Sequence, residues 1–407
     1  MTSENPPERP LAGVRVLDLS NVLAGPYAGY QLALLGADVV KVEVPGVGDL
    51  ARQLGASAEL NRRRLGASFL AQNAQKRSLT LNLKSSRGKE VLRRLVQSAD
   101  VLVENFRPGV LERLGFGWDA LRELNPRLVY CAISGFGQTG PLRAKPAYDQ
   151  IIQGYSGMMS VTGTTGTAPL RAGYPIADVL GGLAAAFAVS SALVGRERTG
   201  VGCSIDVSML ETAVTAMGWV VSNHLIAGQA PRPLGNDNGT AAPSGTFRTS
   251  DGDLNIAANK QEQFELLCAA LGRPELVADP RFAERESRKA HRAQLTAELE
   301  VALTKESAAH WEEALSSAGV PAAAVLSVPE VLASPQIVDR GLVHELPFPG
   351  GVLPEPLRVL GNGIRVDDRP STPSLPPPVL GEHTDSLLAE LGYAAEEIAA
   401  LREEGSV

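Results

Sequence analysis

Short apolar runs alternate with helical patterns through the first third of the chain, and this rhythm constrains the fold more than any other feature. Residues 14–17 read as a strand that ends at Asp18. A helical pattern opens at Gly25-Pro26, carries Leu32, Leu34 and Leu35, and stops at Gly36; residues 39–42 begin the next strand. Residues 79–83, 101–103 and 128–132 give further strands, with a helical face of Val91, Leu92, Leu95 and Val96 among them. Strands separated by helical patterns predict βαβ units and a largely parallel sheet.

The pattern then changes. Residues 178–194 read as a helix almost without polar side chains, 203–207 as another strand, and 212–221 as a further apolar helix. Composition shifts near Pro231-Arg232-Pro233, where a boundary is expected. Beyond it come a strand at 254–257 and helices at 261–270, 292–302 and 308–317. Residues 347–356 and the proline-rich 370–378 read as loop and connector, and two short helices, 386–391 and 394–404, close the chain. A length of 407 residues calls for two or three domains. The divisions are 10–229, 230–335 and 336–407.

Composition excludes several classes. The formal charge of -7 gives no nucleic-acid surface. Arg62-Arg63-Arg64 reads as a solvated patch, with attraction of a phosphate-bearing ligand as its alternative. The most apolar run, 179–194, is short for a membrane span and carries two adjacent glycines, so a buried helix is expected and no membrane role. The N-terminal MTSENPPERP has no secretory pattern and reads as a polar lead-in. Cys131, Cys203 and Cys268 are dispersed, which fits free thiols and a cytoplasmic location. No histidine has metal-ligand spacing, so no metal is expected.

Among chemistry-bearing residues, Asp178 stands out in PIADVLGGLAAAFAV. As an N-cap it would accept backbone amides, which alone explains a carboxylate there. As a nucleophile beside apolar surface it could attack an acyl carbon, with helix amides holding it ionised and Gly181 and Gly182 leaving room for a bulky ligand. There is no dinucleotide fingerprint, no Walker motif and no nucleophile elbow.

The ordered segments LAGVRVLDLSNVLAGPYAG, LLGADVVKVEVPGVGD, NAQKRSLTLNL, ADVLVENFRPGVLERLGFG, YDQIIQGYSGMMSVTG, GYPIADVLGG and LGEHTDSLLAELGY resemble the class III CoA-transferases, the superfamily of formyl-CoA transferase, carnitine CoA-transferase and α-methylacyl-CoA racemase. The resemblance spans about residues 11–392. It implies that Asp178, with Gly173 and Gly182 in the G-x-x-x-x-D-x-x-x-G pattern, is the nucleophile. Its acyl anhydride would be converted by CoA thiolate to an aspartyl-CoA thioester, from which a carboxylate acceptor takes CoA. It further implies CoA contacts at Val22, Ala24, Lys76, Arg77, Asn105, Phe106 and Arg113, and an acyl pocket shaped by Leu23, Tyr148 and Asp149. No cofactor is bound permanently; the coenzyme A thioester is the substrate.

The fold implied is α/β: a Rossmann-like large domain completed by the C-terminal tail, plus a small α+β domain, in an interlocked homodimer. Its active site would lie between the large domain of one chain and the small domain of the other. The racemase branch has histidine where this chain has Tyr148, and tyrosine is poorly matched to α-proton abstraction near neutral pH. A 2-methylacyl-CoA racemase is thus an alternative that Tyr148 argues against. A non-catalytic CoA-binding protein is a second, which an intact Asp178 argues against. The glycine-rich lid of formyl-CoA transferase is missing between Gly235 and Gly272, and Leu23 replaces a polar residue, which argues against oxalate. FGQTGP and TGTTGTAPLRAGYPIAD resemble relatives using small dicarboxylates, and Arg171 is the candidate partner for a distal carboxylate; a structural loop arginine is its other reading.

Overall fold

The computed structural model describes residues 9–348, 353 and 356–407, so most of the expected polar lead-in and of the 347–356 loop lies outside the described residues. The chain separates into two compact units. The first comprises the residues up to Met158, Arg171–Gln229 and Pro335–Val407; the second comprises Met159–Leu170 and Ala230–Ser334.

In the first unit the apolar runs become a six-stranded sheet of β1 (Arg15–Asp18), β2 (Asp38–Glu43), β3 (Lys76–Thr80), β4 (Val101–Glu104), β5 (Val129–Ser134) and β6 (Ser204–Ser208), in the order β3-β2-β1-β4-β5-β6. Every neighbouring pair is parallel. β2, β4 and β5 carry almost no exposed side chain, as expected when both sheet faces are covered. β3 begins at Lys76, three residues before the apolar run that announces it, because Val39 pairs with Lys76 across the ladder. On one face, the tail residues Leu387, Leu388, Ile398 and Leu401 join the core of Leu79, Val91, Leu95 and Leu102. The opposite face packs α1 (Ala24–Leu34) and a long helix, Ile176–Thr199, around Val16, Val103, Val129 and Ile133.

The long helix has 24 residues, where the sequence pattern gave 17, and by length and composition it is apolar enough to cross a membrane. Here its Ala177, Gly181, Gly182, Ala185, Ala186 and Val189 are buried. A Cβ on Gly182 would stand 2.6 Å from the Ala24 carbonyl, and one on Gly181 would stand 3.0 Å from Met209. These glycines let the helix approach α1 and its neighbour. The space they free is filled by protein, so they do not serve the ligand access expected of them. The apolar stretch after β6 forms two helices, Met209–Ala216 and Trp219–Ala227, parted at Gly218, whose φ of 49° suits a residue without a Cβ.

The second unit holds an antiparallel sheet of β7 (Ser244–Arg248), β8 (Asp253–Ala257) and β9 (Ala322–Ala324). Helices Gln261–Ala270, Arg292–Leu303 and Ala308–Ser317 cover it, around Phe264, Leu299, Leu303 and Leu315. Met159–Leu170 belongs to this unit as well, tied in where the Gly235 amide donates to the Gly163 carbonyl at 2.7 Å. The division at residues 10–229, drawn from composition, places that segment in the first unit instead.

Candidate active site

In a sheet of this order the chain leaves β1 toward one edge and β4 toward the other. The crevice beyond their carboxyl ends is therefore open to a ligand. The segment after β1 forms one wall and the segment after β4 the other. They are fastened by one side chain: Asn105 accepts the Asn21 amide and donates to the Asn21 carbonyl, both at 2.7 Å.

Below the β1 wall lies a buried ionic network. Lys76 reaches Asp18 at 2.9 Å and the Pro26 carbonyl at 2.8 Å. Lys41 reaches Asp49 at 2.9 Å and donates to the Ser20 carbonyl. Burial alone would raise the Asp18 carboxyl, but Lys41 and Lys76 hold it down at about 2. Burial lowers Lys76 to about 8 against the attraction of Asp18. Asp49 also accepts the amide of Val22 at 2.9 Å, and Gln72 donates to the Val22 carbonyl at 3.2 Å. Those bonds hold Val22 at a φ of 66°, a left-handed conformation costly for a β-branched residue.

Asp178 enters from the long helix. It is the third residue of that helix, not its cap; Pro175 stands at the cap position. Asp149 supplies the missing acceptor, its Oδ1 taking the Ala177 amide at 2.9 Å and the Asp178 amide at 3.4 Å. Gln153 secures Asp149 by donating to its Oδ2 at 2.7 Å. Burial, and then the carboxylate of Asp149, push Asp178 up to about 7. Burial therefore works against the expected hold of the helix amides on the ionised form of Asp178.

A cavity of about 210 Å³ brings together Val22, Leu23, Ala24, Asn105, Phe106, Tyr148 and Asp178 from the expected set, with Asn21, Ser134, Arg107, Arg143, Lys145 and Met209 also lining it. Asp178 is the one acid among the described residues lining it. Beside it a second cavity of about 550 Å³ runs over the carboxyl ends of β1 to β4, lined by Val44, Pro45, Leu81, Asn82, Lys84 and Val110. Asn21 and Phe106 belong to both.

Other expected residues fall elsewhere. Lys76 is consumed by the buried network and faces neither cavity. Arg77 pairs with Asp38 at 2.7 Å and with Glu390 at 2.6 Å, so it ties the tail to the sheet. Arg113 is exposed at the end of the helix Val110–Arg113 and lines neither cavity. Asp149 stands behind Asp178 as its support. Arg171 is exposed and outside both linings, and Arg62, Arg63 and Arg64 are likewise solvated.

Sequence reasoning missed Ser134, Arg143, Lys145 and Lys84. The rule that ligands sit beyond strand ends would have found Ser134, the last residue of β5. Its buried hydroxyl has no hydrogen-bond partner among the described residues. Among the described residues no group of histidine, cysteine and acidic side chains could hold a metal.

A carboxylate at the switch point of a parallel sheet, beside a second and larger cavity, marks the ligand crevice of an α/β protein. The family model for CoA-transferase family III matches residues 11–384, and the chain belongs to that family. It is similar to the acetyl-CoA:oxalate CoA-transferase of Acetobacter aceti, at 39% identity over 92% of this chain and 96% of the relative. The succinate–glutarate CoA-transferase of Agrobacterium fabrum is 38% identical over 94% of this chain and 96% of its own length. A crystal structure of a CAIB/BAIF family protein from Brucella suis superposes with a TM-score of 0.82 at 37% identity, covering 95% of this chain and all of that one. The chain is accordingly a class III CoA-transferase, moving coenzyme A from an acyl-CoA to a carboxylic acid.

Proposed function

We propose that Asp178 is the covalent nucleophile and that the acceptor is a small dicarboxylate. The observation that carries this is the position of Asp178, the one acid among the described residues lining the switch-point cavity, next to a second cavity of about 550 Å³. An Asp178 oxygen attacks the thioester carbonyl and the C–S bond breaks, giving an acyl-aspartyl anhydride and CoA thiolate. The thiolate attacks the aspartyl carbonyl and expels the donor carboxylate, leaving an aspartyl-CoA thioester. The acceptor carboxylate attacks that thioester and releases thiolate. The thiolate takes the acceptor acyl group, and the Asp178 carboxylate is restored.

A carboxyl group raised to about 7 is a stronger nucleophile than an ordinary aspartate and is still substantially ionised at neutral pH. Val22, Ala24, Asn105 and Phe106 would hold the thiol arm, Lys84 offers a cation to a nucleotide phosphate, and Arg143 and Lys145 place positive charge at the cavity holding Asp178. Tyr148 and Leu23 would bound the acyl group. A relative named for oxalate and one named for glutarate are nearly equally similar to this chain. The missing glycine run therefore gives no ground for leaving oxalate out.

The interlocked homodimer is part of the same reading. Its support is exposed apolar surface: Leu183, Phe187 and Val194 on the long helix, and Leu225 and Ile226 on Trp219–Ala227, with Phe187 at 77% and Ile226 at 86% exposure. Such surface calls for a partner. Sedimentation at nanomolar concentration should show a dimer; a monomer there removes interlocking.

The deciding test incubates the protein with succinyl-CoA and a panel of glutarate, mesaconate, citramalate and oxalate, and separates the thioesters by mass. New thioesters are expected with wild type and none with Asp178→Ala or Asp178→Asn. Borohydride trapping during turnover should mark the peptide containing Asp178. Turnover by Asp178→Ala above a few per cent of wild type, or a label on Asp149, would sink the assignment.

A further inference from the structure

We infer that Glu104 is a positioning residue for the acyl-CoA, because its buried carboxylate fixes the wall that the two cavities share. The inference rests on the reading that coenzyme A spans those cavities.

Glu104 is the last residue of β4 and is 3% exposed. Its Oε2 accepts the amide of Phe106 at 2.6 Å, and its Oε1 accepts the hydroxyl of Tyr130 at 2.7 Å. Tyr130 is itself held, stacked on Trp118 with centroids 6.1 Å apart. Neither Glu104 oxygen is spent on an ion pair among the described residues. A buried carboxyl without a cation is an expensive choice if only an apolar filler were needed. What it does locally is bridge β5 to the backbone two residues beyond it.

Those two residues matter because of where they stand. Asn105 pairs with both backbone groups of Asn21. Phe106 and Asn21 are, among the described residues, the two that line both cavities. The turn after β4 is therefore pinned on one side by the Asn105 amide and on the other by the Glu104 carboxylate. A thioester reaching from the larger cavity to Asp178 has to pass this wall. Without Glu104 the Phe106 amide loses its acceptor, and the ring is free to swing into either space. The expected consequence is weaker acyl-CoA binding. The chemical step suffers less, since Asp178 is anchored separately through Asp149.

The geometry distinguishes charge from shape. In Glu104→Gln the amide oxygen can still accept from Phe106, and the NH₂ group can donate to the Tyr130 oxygen. Glu104→Ala removes both bonds, and Tyr130→Phe removes one. Free coenzyme A is titrated calorimetrically into wild type and the three variants, and succinyl-CoA kinetics are recorded at saturating acceptor. Expected are a rise of tenfold or more in the coenzyme A Kd and the succinyl-CoA KM for Glu104→Ala, with kcat lowered much less. Glu104→Gln should lie within about threefold of wild type and Tyr130→Phe between the two. Unchanged Kd in Glu104→Ala, a loss confined to kcat, or Glu104→Gln as damaged as Glu104→Ala overturns the inference. If Glu104→Ala does not fold, Tyr130→Phe decides: an unchanged Kd overturns it and a raised one supports it. A wild type that binds no coenzyme A defeats the underlying reading instead, and that result is separate from any variant.

Discussion

The Oδ1 of Asp149 accepts the backbone amide of Ala177 at 2.9 Å, so the helix that carries Asp178 is capped by a carboxylate from 28 residues earlier in the chain. The same oxygen lies 3.4 Å from the Asp178 amide. One acid thus sets both the start of the helix and the electrostatics of the other. Asp149→Ala should cost about 0.5–2 kcal/mol in denaturant unfolding, the range of a lost cap. It should also move the acid limb of the kcat/KM profile to lower pH, since a like charge beside Asp178 is gone while its burial remains. A profile that stays in place would show that Asp149 exerts no charge effect on Asp178.

The two glycines that flank Asp178 in the family pattern are physically unlike. A Cβ on Gly182 would press on the Ala24 carbonyl at 2.6 Å and on Tyr27 at 3.1 Å, whereas one on Gly173 would meet nothing within 4 Å. Gly182→Ala should therefore destabilise the protein by about 1–3 kcal/mol, the usual range for overpacking, and displace the α1 end of the cavity. Gly173→Ala should change stability by less than about 0.5 kcal/mol. Equal unfolding midpoints for the two variants would contradict this packing.

Much of this arrangement was legible in the sequence, and the limits have physical causes. Strand and helix periodicity in residues 14–132 carried the parallel sheet, because fully buried strands read as continuous apolar runs. The resemblance carried Asp178, Asn105 and Phe106 to one cavity. Three things were hidden. Lys76 looks the same in sequence whether it binds a phosphate or neutralises a buried Asp18, since both need only a cation at the start of a strand. The cap of the long helix lies far away in sequence, so no local pattern announces Asp149. The glycines after Asp178 suggested open space, yet helix contact uses the same residue type for the same steric reason.

Lys76 allows the two readings of that cation to be separated. Its ammonium is fully buried and bonds to Asp18, Asn73 and the Pro26 carbonyl. Lys76→Met would leave Asp18 with the Ser20 amide and hydroxyl and, as its remaining cation among the described residues, the more distant Lys41, 3.8 Å away. Breaking a buried pair from one side costs about 3–5 kcal/mol. The expected result is an unfolding midpoint far below wild type. A variant as stable as wild type with weakened coenzyme A binding would restore Lys76 as a ligand contact.

The pH dependence follows from Asp178 with a definite sign. Its carboxyl is raised from 3.8 to about 7 in the folded protein by burial and by Asp149. The attacking form is the carboxylate, so kcat/KM should be constant above about pH 7 and fall tenfold per unit below it. Stability runs the other way. Between 3.8 and about 7 the folded protein keeps a proton that the unfolded chain has released, so this residue makes the fold progressively less stable as pH rises through that window. The penalty is absent near the lower bound and complete above the upper one. Asp178→Asn cannot ionise and escapes it. Its Tm relative to wild type should therefore rise with pH across the window and level off above about 7. Thermal unfolding of both proteins at half-unit intervals measures this difference. A Tm gap independent of pH would mean that Asp178 titrates at an ordinary carboxylate value, and the acid limb of the rate would then have to come from another group.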